Sequence, residues 1–231
     1  LLAQIHSYYV DNRFQYSRLP ASSLINPAVT IRELPPAEQA MFQFELQMEM
    51  KAVDKADQSR FLASVRAVAA KYPQDDYAQL VLGETERQFG DQILAHELFQ
   101  AQAKRERYKA EVLLQLAKLY FAGPQPDASA RLAADQMARN AAIRSIRADS
   151  NDPAALVLYY ETYRFEPGGP SDNAIACLKR AYELLPQFAD VRVYLAKEAA
   201  RQQLFDQAVT LLRPLAFGPH AGKERGKIYR E

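Results

Sequence analysis

The three histidines and the single cysteine carry the most familiar metal-binding and nucleophilic chemistry in this 231-residue chain. His96-Glu97 begins like the H-E-x-x-H motif of zinc peptidases, but Gln100 stands where the second histidine ligand is required. His6 and His220 lie far from His96 in sequence. The sequence therefore predicts no metal site, and His96 is interpreted as a structural residue of a helix.

Other reactive groups also lack a catalytic pattern. Cys177 lies beside an apolar residue in a helical pattern and is interpreted as a small buried hydrophobic residue, with no second cysteine for a disulfide. The acid pairs Asp75-Asp76 and Glu84/Glu86 are interpreted as a helix cap and a solvated face. Residues 218–231 contain glycine and lysine without phosphate-loop spacing. We expect no catalytic residues, no cofactor and no enzymatic activity.

The elements that hold these residues are predicted to be helices. The chain is 48% hydrophobic and has 8 glycines, and its long segments are dominated by strong helix formers. The net charge of +1 and the absence of long one-sign blocks argue against nucleic acid as a partner. No apolar run approaches the ~20 residues of a membrane span.

A sequence pattern recurs with a period of 34 residues. Leu82-Gly83 opens the first copy, Ala95 and Phe99 close it, and Leu116 opens the second copy 34 residues after Leu82. A period of this length is typical of helical hairpins that stack on one another. The small residues predict close approach of two helices, with Phe99 between neighbouring hairpins. Gly90-Asp91 predicts the turn, because glycine accepts a left-handed backbone and aspartate caps a helix.

The repeated pattern resembles that of tetratricopeptide repeats (TPR), W-x2-L-G-x2-Y…A-x3-F…P, over residues 76–217. The later copies contain Leu113, Leu116, Ala117 and Tyr120; then Tyr159, Tyr163, Ala174, Leu178, Ala181 and Pro186; and finally Leu195, Ala196, Ala208 and Leu212. No copy contains the tryptophan. The resemblance implies an all-α fold, an α-solenoid (superhelix) of antiparallel helix pairs with about 11 helices.

The domain organisation follows from the repeat phase. Residues 1–75 are predicted to form N-terminal helices, with a helix at 1–16, a proline-rich connector at 17–36 and a degenerate hairpin. The four predicted TPR-like repeats span 76–109, 110–155, 156–188 and 189–217, and residues 218–231 form a capping helix or tail.

The second repeat is longer than the others. Ala95 and its counterpart Ala141 are 46 residues apart, and the additional residues lie around 122–127. Residues 128–148 are therefore predicted to form a long helix of about 30 Å. The insertion either packs on its neighbour or provides a ledge for a partner.

In proteins that this chain resembles, the first helices of successive hairpins line a concave groove that binds peptides. The resemblance implies that the exposed groove residues here are Tyr77, Leu80, Glu84, Arg87, Glu111, Leu114, Lys118, Phe121, Val157, Tyr160, Arg164, Val193, Lys197 and Arg201. The equivalent central positions read Glu, Lys, Arg and Lys. We therefore expect an acidic or carboxylate-bearing partner segment, and charge reversal at Lys118 and Arg164 should weaken its binding. The set differs from the carboxylate clamp of chaperone-binding relatives.

The resulting functional hypothesis is a non-catalytic scaffold or adaptor that binds a protein or peptide. An alternative is the C-terminal repeat domain of a larger bacterial enzyme, for example a zinc peptidase, whose catalytic part lies upstream of Leu1. Self-association through an uncapped end is a third possibility. The sequence leaves the oligomeric state open, and it fits either a cytoplasmic protein or a bacterial exported one.

Overall fold

The computed structural model describes residues 33–50 and 53–217. The chain divides into two compact units, Leu1–Pro35 and Pro36–Glu231, and all helices described below belong to the second. The helix predicted at residues 1–16, most of the connector at 17–36, the tail at 218–231, and His6 and His220 lie outside the described residues.

The described part of the chain contains ten α-helices and no β-strand. The helices are α1 (Pro36–Glu49), α2 (Gln58–Ala69), α3 (Asp76–Phe89), α4 (Gln92–Gln102), α5 (Lys109–Ala122), α6 (Ala128–Ala148), α7 (Pro153–Glu161), α8 (Asp172–Leu184), α9 (Ala189–Arg201) and α10 (Phe205–Phe217). None of these helices is long and apolar enough to cross a membrane.

Consecutive helices pair as hairpins, and the hairpins stack. Within each hairpin a first helix (α1, α3, α5, α7 or α9) packs against the second helix that follows it. Each of the first four second helices also packs against the first helix of the next hairpin. The predicted all-α solenoid of antiparallel helix pairs is therefore confirmed.

The crossing of α3 and α4 shows why the hairpin needs small residues. Gly83 and Ala95 are buried at this crossing, and Phe99 is completely buried beside them. A Cβ atom at Gly83 would lie 2.5 Å from Cε1 of Phe99, which is far inside van der Waals contact. Phe99 continues into the core shared with α5, where it joins Leu113 and other buried residues.

Side-chain caps begin five of the ten described helices. The Asp75 side chain accepts a hydrogen bond from the Ala78 amide at 2.9 Å, and the Asp91 side chain accepts from Ile93 at 2.8 Å. Asp127, Asp152 and Ser171 cap α6, α7 and α8 in the same way. These bonds satisfy amide groups that a helix start leaves without partners.

The Gly90 backbone corrects the prediction of a left-handed turn, because its φ is −134°. Glycine is needed there for space instead. A Cβ atom at Gly90 would overlap a carboxylate oxygen of Glu86 and would lie 2.9 Å from Leu62. The turn between α3 and α4 therefore has to pass directly over the Glu86 side chain.

Glu86 also corrects the prediction that Glu84 and Glu86 form a solvated face. The Glu86 side chain is completely buried and accepts hydrogen bonds from Nε and Nη2 of Arg66 at 2.6 and 2.8 Å. It also accepts a bond from the Asp91 amide at 3.0 Å. The carboxylate thus joins α2 to the turn that follows α3.

The long helix predicted at residues 128–148 is present as α6, which has 21 residues against 14 in α5. Its buried Arg139 donates to the Thr162 carbonyl at 3.0 Å and to Glu166 at 2.6 Å. The same guanidinium lies 3.7 Å from the centre of the Tyr163 ring. The longer helix therefore holds the turn after α7 and packs on its neighbour.

One set of contacts joins elements that are two hairpins apart. Glu38 of α1 accepts a hydrogen bond from the Tyr108 hydroxyl at 3.1 Å and forms an ion pair with Arg107. Both partners immediately precede α5. The Tyr108 backbone has a φ of 54°, and its ring lies 5.8 Å from that of Tyr77 on α3.

Candidate peptide-binding surface

The predicted binding residues belong to the first helices, which we call the first-helix row (α1, α3, α5, α7 and α9). Polar side chains join α1 to α3, α3 to α5 and α7 to α9, and in four of these bridges a glutamate accepts the hydrogen bond. The bridges are Tyr77 to Glu45, Gln115 to Glu84, Tyr160 to Glu198 at 2.8 Å, and Tyr194 to Glu161 at 2.5 Å. These carboxylates are therefore already engaged in helix–helix contacts.

Several of the residues predicted to be exposed on this row are buried. The buried set comprises Tyr77, Leu80, Leu114 and Val157, which belong to the hydrophobic core clusters. Their exposure was implied by the resemblance and the repeat phase, and the packing of neighbouring helices covers them. Partly buried candidates are Glu84, Arg87, Lys118, Phe121, Tyr160 and Val193; exposed ones are Glu111, Arg164, Lys197 and Arg201.

Four polar residues meet where α3 faces α5. The Gln115 amide donates to Glu84 and accepts a bond from Nε of Arg87 at 3.2 Å. Burial raises the pKa of Glu84 to about 7, against the opposing effect of the nearby Lys118. Burial also lowers the pKa of Lys118, although Glu84 partly offsets it. Lys118 is thus part of an internal charge cluster and contributes less free positive charge than its position in the sequence suggests.

Arg164 lies just after the end of α7, in a different environment. It is exposed, and its guanidinium is 4.2 Å from the centre of the Phe121 ring and 4.7 Å from that of Phe165. These contacts hold a long cationic side chain against two aromatic rings. Its backbone amide bonds to the Glu161 carbonyl at 3.0 Å, within the turn held by α6.

Lys197 and Arg201 extend the exposed basic surface along α9. Arg201 donates to Glu198 at 2.7 and 2.9 Å, and Glu198 also accepts the Tyr160 bond described above. Lys197 is exposed one helical turn away. The exposed candidates on α7 and α9 are therefore all basic, whereas the glutamates beside them are engaged in bridges.

Sequence reasoning missed Arg131 and Asp135 of α6 and Phe165 of the turn after α7. Arg131 forms an ion pair with the buried Asp135 at 2.8 Å and lies 5.6 Å from the Phe165 ring. The spacing of Arg131 and Asp135 by four residues was a usable signal for an ion pair on a helix. Nothing in the spacing showed that Phe165, placed in a turn, would meet them.

His96 and Cys177 both pack against neighbouring helices. His96 is partly buried, and its Nε2 lies 2.9 Å from the Tyr120 hydroxyl. Cys177 packs against the core, and burial raises the pKa of its thiol. Among the described residues, no group of three or more histidine, cysteine or acidic side chains could hold a metal ion.

Comparison with known proteins identifies the fold of this chain. Neither a protein-family model nor a curated protein sequence matches the chain. Among solved structures, it is similar to TTC0263, a thermophilic TPR protein of Thermus thermophilus. The two share 18% identity with a TM-score of 0.63, over 83% of this chain and 98% of that one.

Two further structures show the same likeness. MamA is 17% identical, with a TM-score of 0.54 over 79% of this chain and 93% of its own. A chain of the APC/C hetero-tetramer Cut9–Hcn1 is 17% identical, with a TM-score of 0.58 over 84% of this chain and 39% of that one. At such identities the likeness establishes the fold and not the binding partner. The resemblance inferred from the repeated sequence pattern is thus confirmed: this chain has the TPR-like fold, an all-α solenoid of stacked helical hairpins.

Proposed function

We propose that this protein is a non-catalytic interaction scaffold that binds an acidic protein or peptide segment along the first-helix row. One observation carries the proposal: Arg164 in the turn after α7, and Lys197 and Arg201 on α9, are exposed basic residues, while Glu161 and Glu198 accept hydrogen bonds from tyrosines. The TPR-like fold supports a protein as the partner.

The excess of positive charge on this surface is a local feature and does not reflect the net charge of the chain. The chain as a whole has a net charge of +1, so its overall field would not attract an acidic partner. Glu161 and Glu198 each accept a tyrosine hydroxyl from the neighbouring helix, and these bonds fix both carboxylates at the helix–helix contact. Arg164, Lys197 and Arg201 are exposed to solvent, although Arg201 also pairs with Glu198. Exposed complementary charges increase the association rate and select the partner.

The proposal is tested with a pair of fluorescently labelled peptides of about 15 residues that differ only in carrying Glu or Lys at the same positions. Fluorescence anisotropy should show binding of the Glu peptide, weaker at high salt because ions screen exposed charges. The variant R164E/K197E should bind it at least about tenfold more weakly. Lys118 is unsuitable for reversal, since a second carboxylate beside Glu84 would disturb the internal cluster.

The matched control is K104E/K179E, which makes the same charge change at exposed residues outside the first-helix row. It should retain the affinity of the unmodified chain. Equal binding of the Glu and Lys peptides, or equal losses in the two double variants, would contradict the proposal. The alternative role as a repeat domain downstream of an enzyme's catalytic part remains a prediction, and the binding proposed here is independent of it.

A further inference from the structure

A cavity of about 640 Å³ opens beside the exposed basic residues, where the inserted residues meet α6 and the turn after α7. Its lining includes Gly123, Pro124, Gln125, Arg131, Leu132 and Phe165. Leu132 and Phe165 are 41% and 55% exposed, so each presents apolar surface that the fold does not cover.

Phe165 connects this cavity to Arg164. Its ring is 4.7 Å from the Arg164 guanidinium and 5.6 Å from that of Arg131. Phe121 contacts the same two guanidinium groups, at 4.2 and 5.3 Å. Two cations and two rings thus form one cluster, in which Arg131 and Phe165 line the cavity and Phe121 belongs to α5 of the first-helix row.

The two arginines differ in what they already bind. Arg131 is held by Asp135 and by the carbonyl oxygens of Phe121 and Gly123. Within the described part of the chain, Arg164 contacts the two rings and forms no side-chain hydrogen bond or ion pair.

Nearby acidic groups already have partners. Asp135 pairs with Arg131, Glu166 pairs with Arg139, and Asp127 accepts the Ala130 amide at the start of α6. Arg164 therefore keeps its guanidinium edge available for a carboxylate from another molecule. A guanidinium can bind both oxygens of a carboxylate at once.

We infer that Arg164 anchors a carboxylate side chain of the partner and that the adjacent cavity takes the apolar side chain next to it. The partner motif is therefore an acidic residue immediately beside a large apolar one. This inference rests on the proposed binding along the first-helix row and names a specificity-determining residue within it.

The insertion in the second repeat has a direct part in this subsite. It supplies the loop wall of the cavity at residues 122–127, and α6 places Arg131 and Leu132 beside it. Arg139, further along α6, fixes the turn that carries Arg164 and Phe165. A guanidinium held in place before binding loses less conformational freedom when a ligand arrives.

The experiment compares two labelled peptides of equal composition and net charge, one with Glu and Leu adjacent and one with them separated by Gly and Ser. Anisotropy titrations should show several-fold tighter binding of the adjacent arrangement. R164K keeps the charge but loses the planar group that binds two oxygens and stacks on rings, so it should reduce this preference to near unity. F165A should do the same by removing a cavity wall.

The exposed position of both side chains keeps these variants folded, which circular dichroism verifies. The control is K179R, a conservative change at an exposed basic residue outside the first-helix row, and it should retain the preference. If both peptides bind equally well to the unmodified chain, and R164E/K197E weakens both, the subsite is wrong while the proposed acidic binding stands. If neither peptide binds, both the subsite and the proposed function are wrong.

Discussion

Two glutamates on α3 show how far the environment determines the behaviour of one residue type. Glu86 is completely buried, and its hydrogen bond from Arg66 lowers the pKa of its carboxyl group. Glu84, two residues earlier, faces the first-helix row, where burial raises its pKa to about 7. Positions two apart on a helix point to different sides, and of these two carboxylates it is Glu86 that accepts hydrogen bonds from an arginine.

The raised pKa of Glu84 predicts a specific pH dependence of stability. The unfolded carboxyl has a pKa near 4.5 and the folded one about 7, so between these values the folded state holds a proton that the unfolded state has lost. The free energy of unfolding should therefore fall as pH rises from about 4.5 to 7. E84Q removes this pH-dependent loss of stability, because glutamine does not titrate, and its side-chain oxygen can still accept the hydrogen bond from Gln115. Above pH 7 the variant should therefore be about 1–3 kcal/mol more stable than the unmodified chain. Urea titrations across this range measure the difference.

The matched control is E183Q, because the Glu183 side chain is 64% exposed and pairs only with Arg180 one turn away. It should follow the pH profile of the unmodified chain. A profile of E84Q that parallels the unmodified chain from pH 4.5 to 8 would show that Glu84 titrates normally.

At the scale of elements, Gly83 on α3 and Phe99 on α4 determine how closely these two helices approach. Gly83 is in the middle of α3, where glycine costs helix stability of about 1 kcal/mol relative to alanine. The fold accepts this cost because Phe99 occupies the space where a Cβ atom would stand. Phe99 then packs simultaneously on α3 and α5.

G83A should consequently destabilise the protein even though alanine favours helix formation. A methyl group 2.5 Å from the completely buried Phe99 forces that ring to move within a close-packed core. We expect a net loss of about 1–3 kcal/mol in the free energy of unfolding. Urea unfolding followed by circular dichroism provides the measurement.

Gly168 offers the matched control, since a Cβ atom there would meet nothing within 4 Å. G168A should have a stability close to that of the unmodified chain. If G83A proved as stable as G168A, Phe99 would have room to shift and the tight crossing would not limit the packing.

The sequence predicts the elements well because each depends on nearby residues. The limits of α3, the cap at Asp91 and the long helix at residues 128–148 all follow from local spacing, and the structure contains them. The burial of Leu80 and Leu114 was not predictable in this way, because a neighbouring hairpin decides which residues at the edge of a helical face are covered.

The candidate site was predictable only in outline. The repeat phase selects the candidate positions on the first-helix row, and Arg164 is exposed in the turn after α7. The repeat phase contains no information about which distant side chains will meet. The stacking of Arg164 on Phe121 joins residues of different hairpins, so it depends on how those hairpins pack.

At the scale of the whole molecule, burial is uneven along the stack. Seven residues of α5 are buried, whereas the buried residues of α10 are Ala208 and Ala216. Phe205, Val209 and Phe217 of α10 are each more than 60% exposed. Because the stability of a solenoid is close to a sum of repeats and their interfaces, α10, the last helix that the structure describes, should open more easily than α5.

Hydrogen exchange should reveal this gradient. Amide groups of α10 should exchange at least about tenfold faster than those of α5, because local opening of α10 exposes little apolar surface. Mass spectrometry of peptic fragments from the full chain provides the comparison, with α4 as an internal reference of intermediate burial. Equal protection of α5 and α10 would indicate that the stack unfolds as a single unit.

The hydrogen bond between Glu38 and Tyr108 should make α1 and α10, at opposite ends of the described stack, differ in their resistance to an applied force. Each hairpin elsewhere is held mainly by its immediate neighbours, so tension would peel α10 and α9 away one layer at a time. From the other direction, α1 cannot detach until its link to the residues before α5 is broken, and that link spans the whole of the hairpin between them. We therefore expect α10 to separate from the described helices at a lower force than α1.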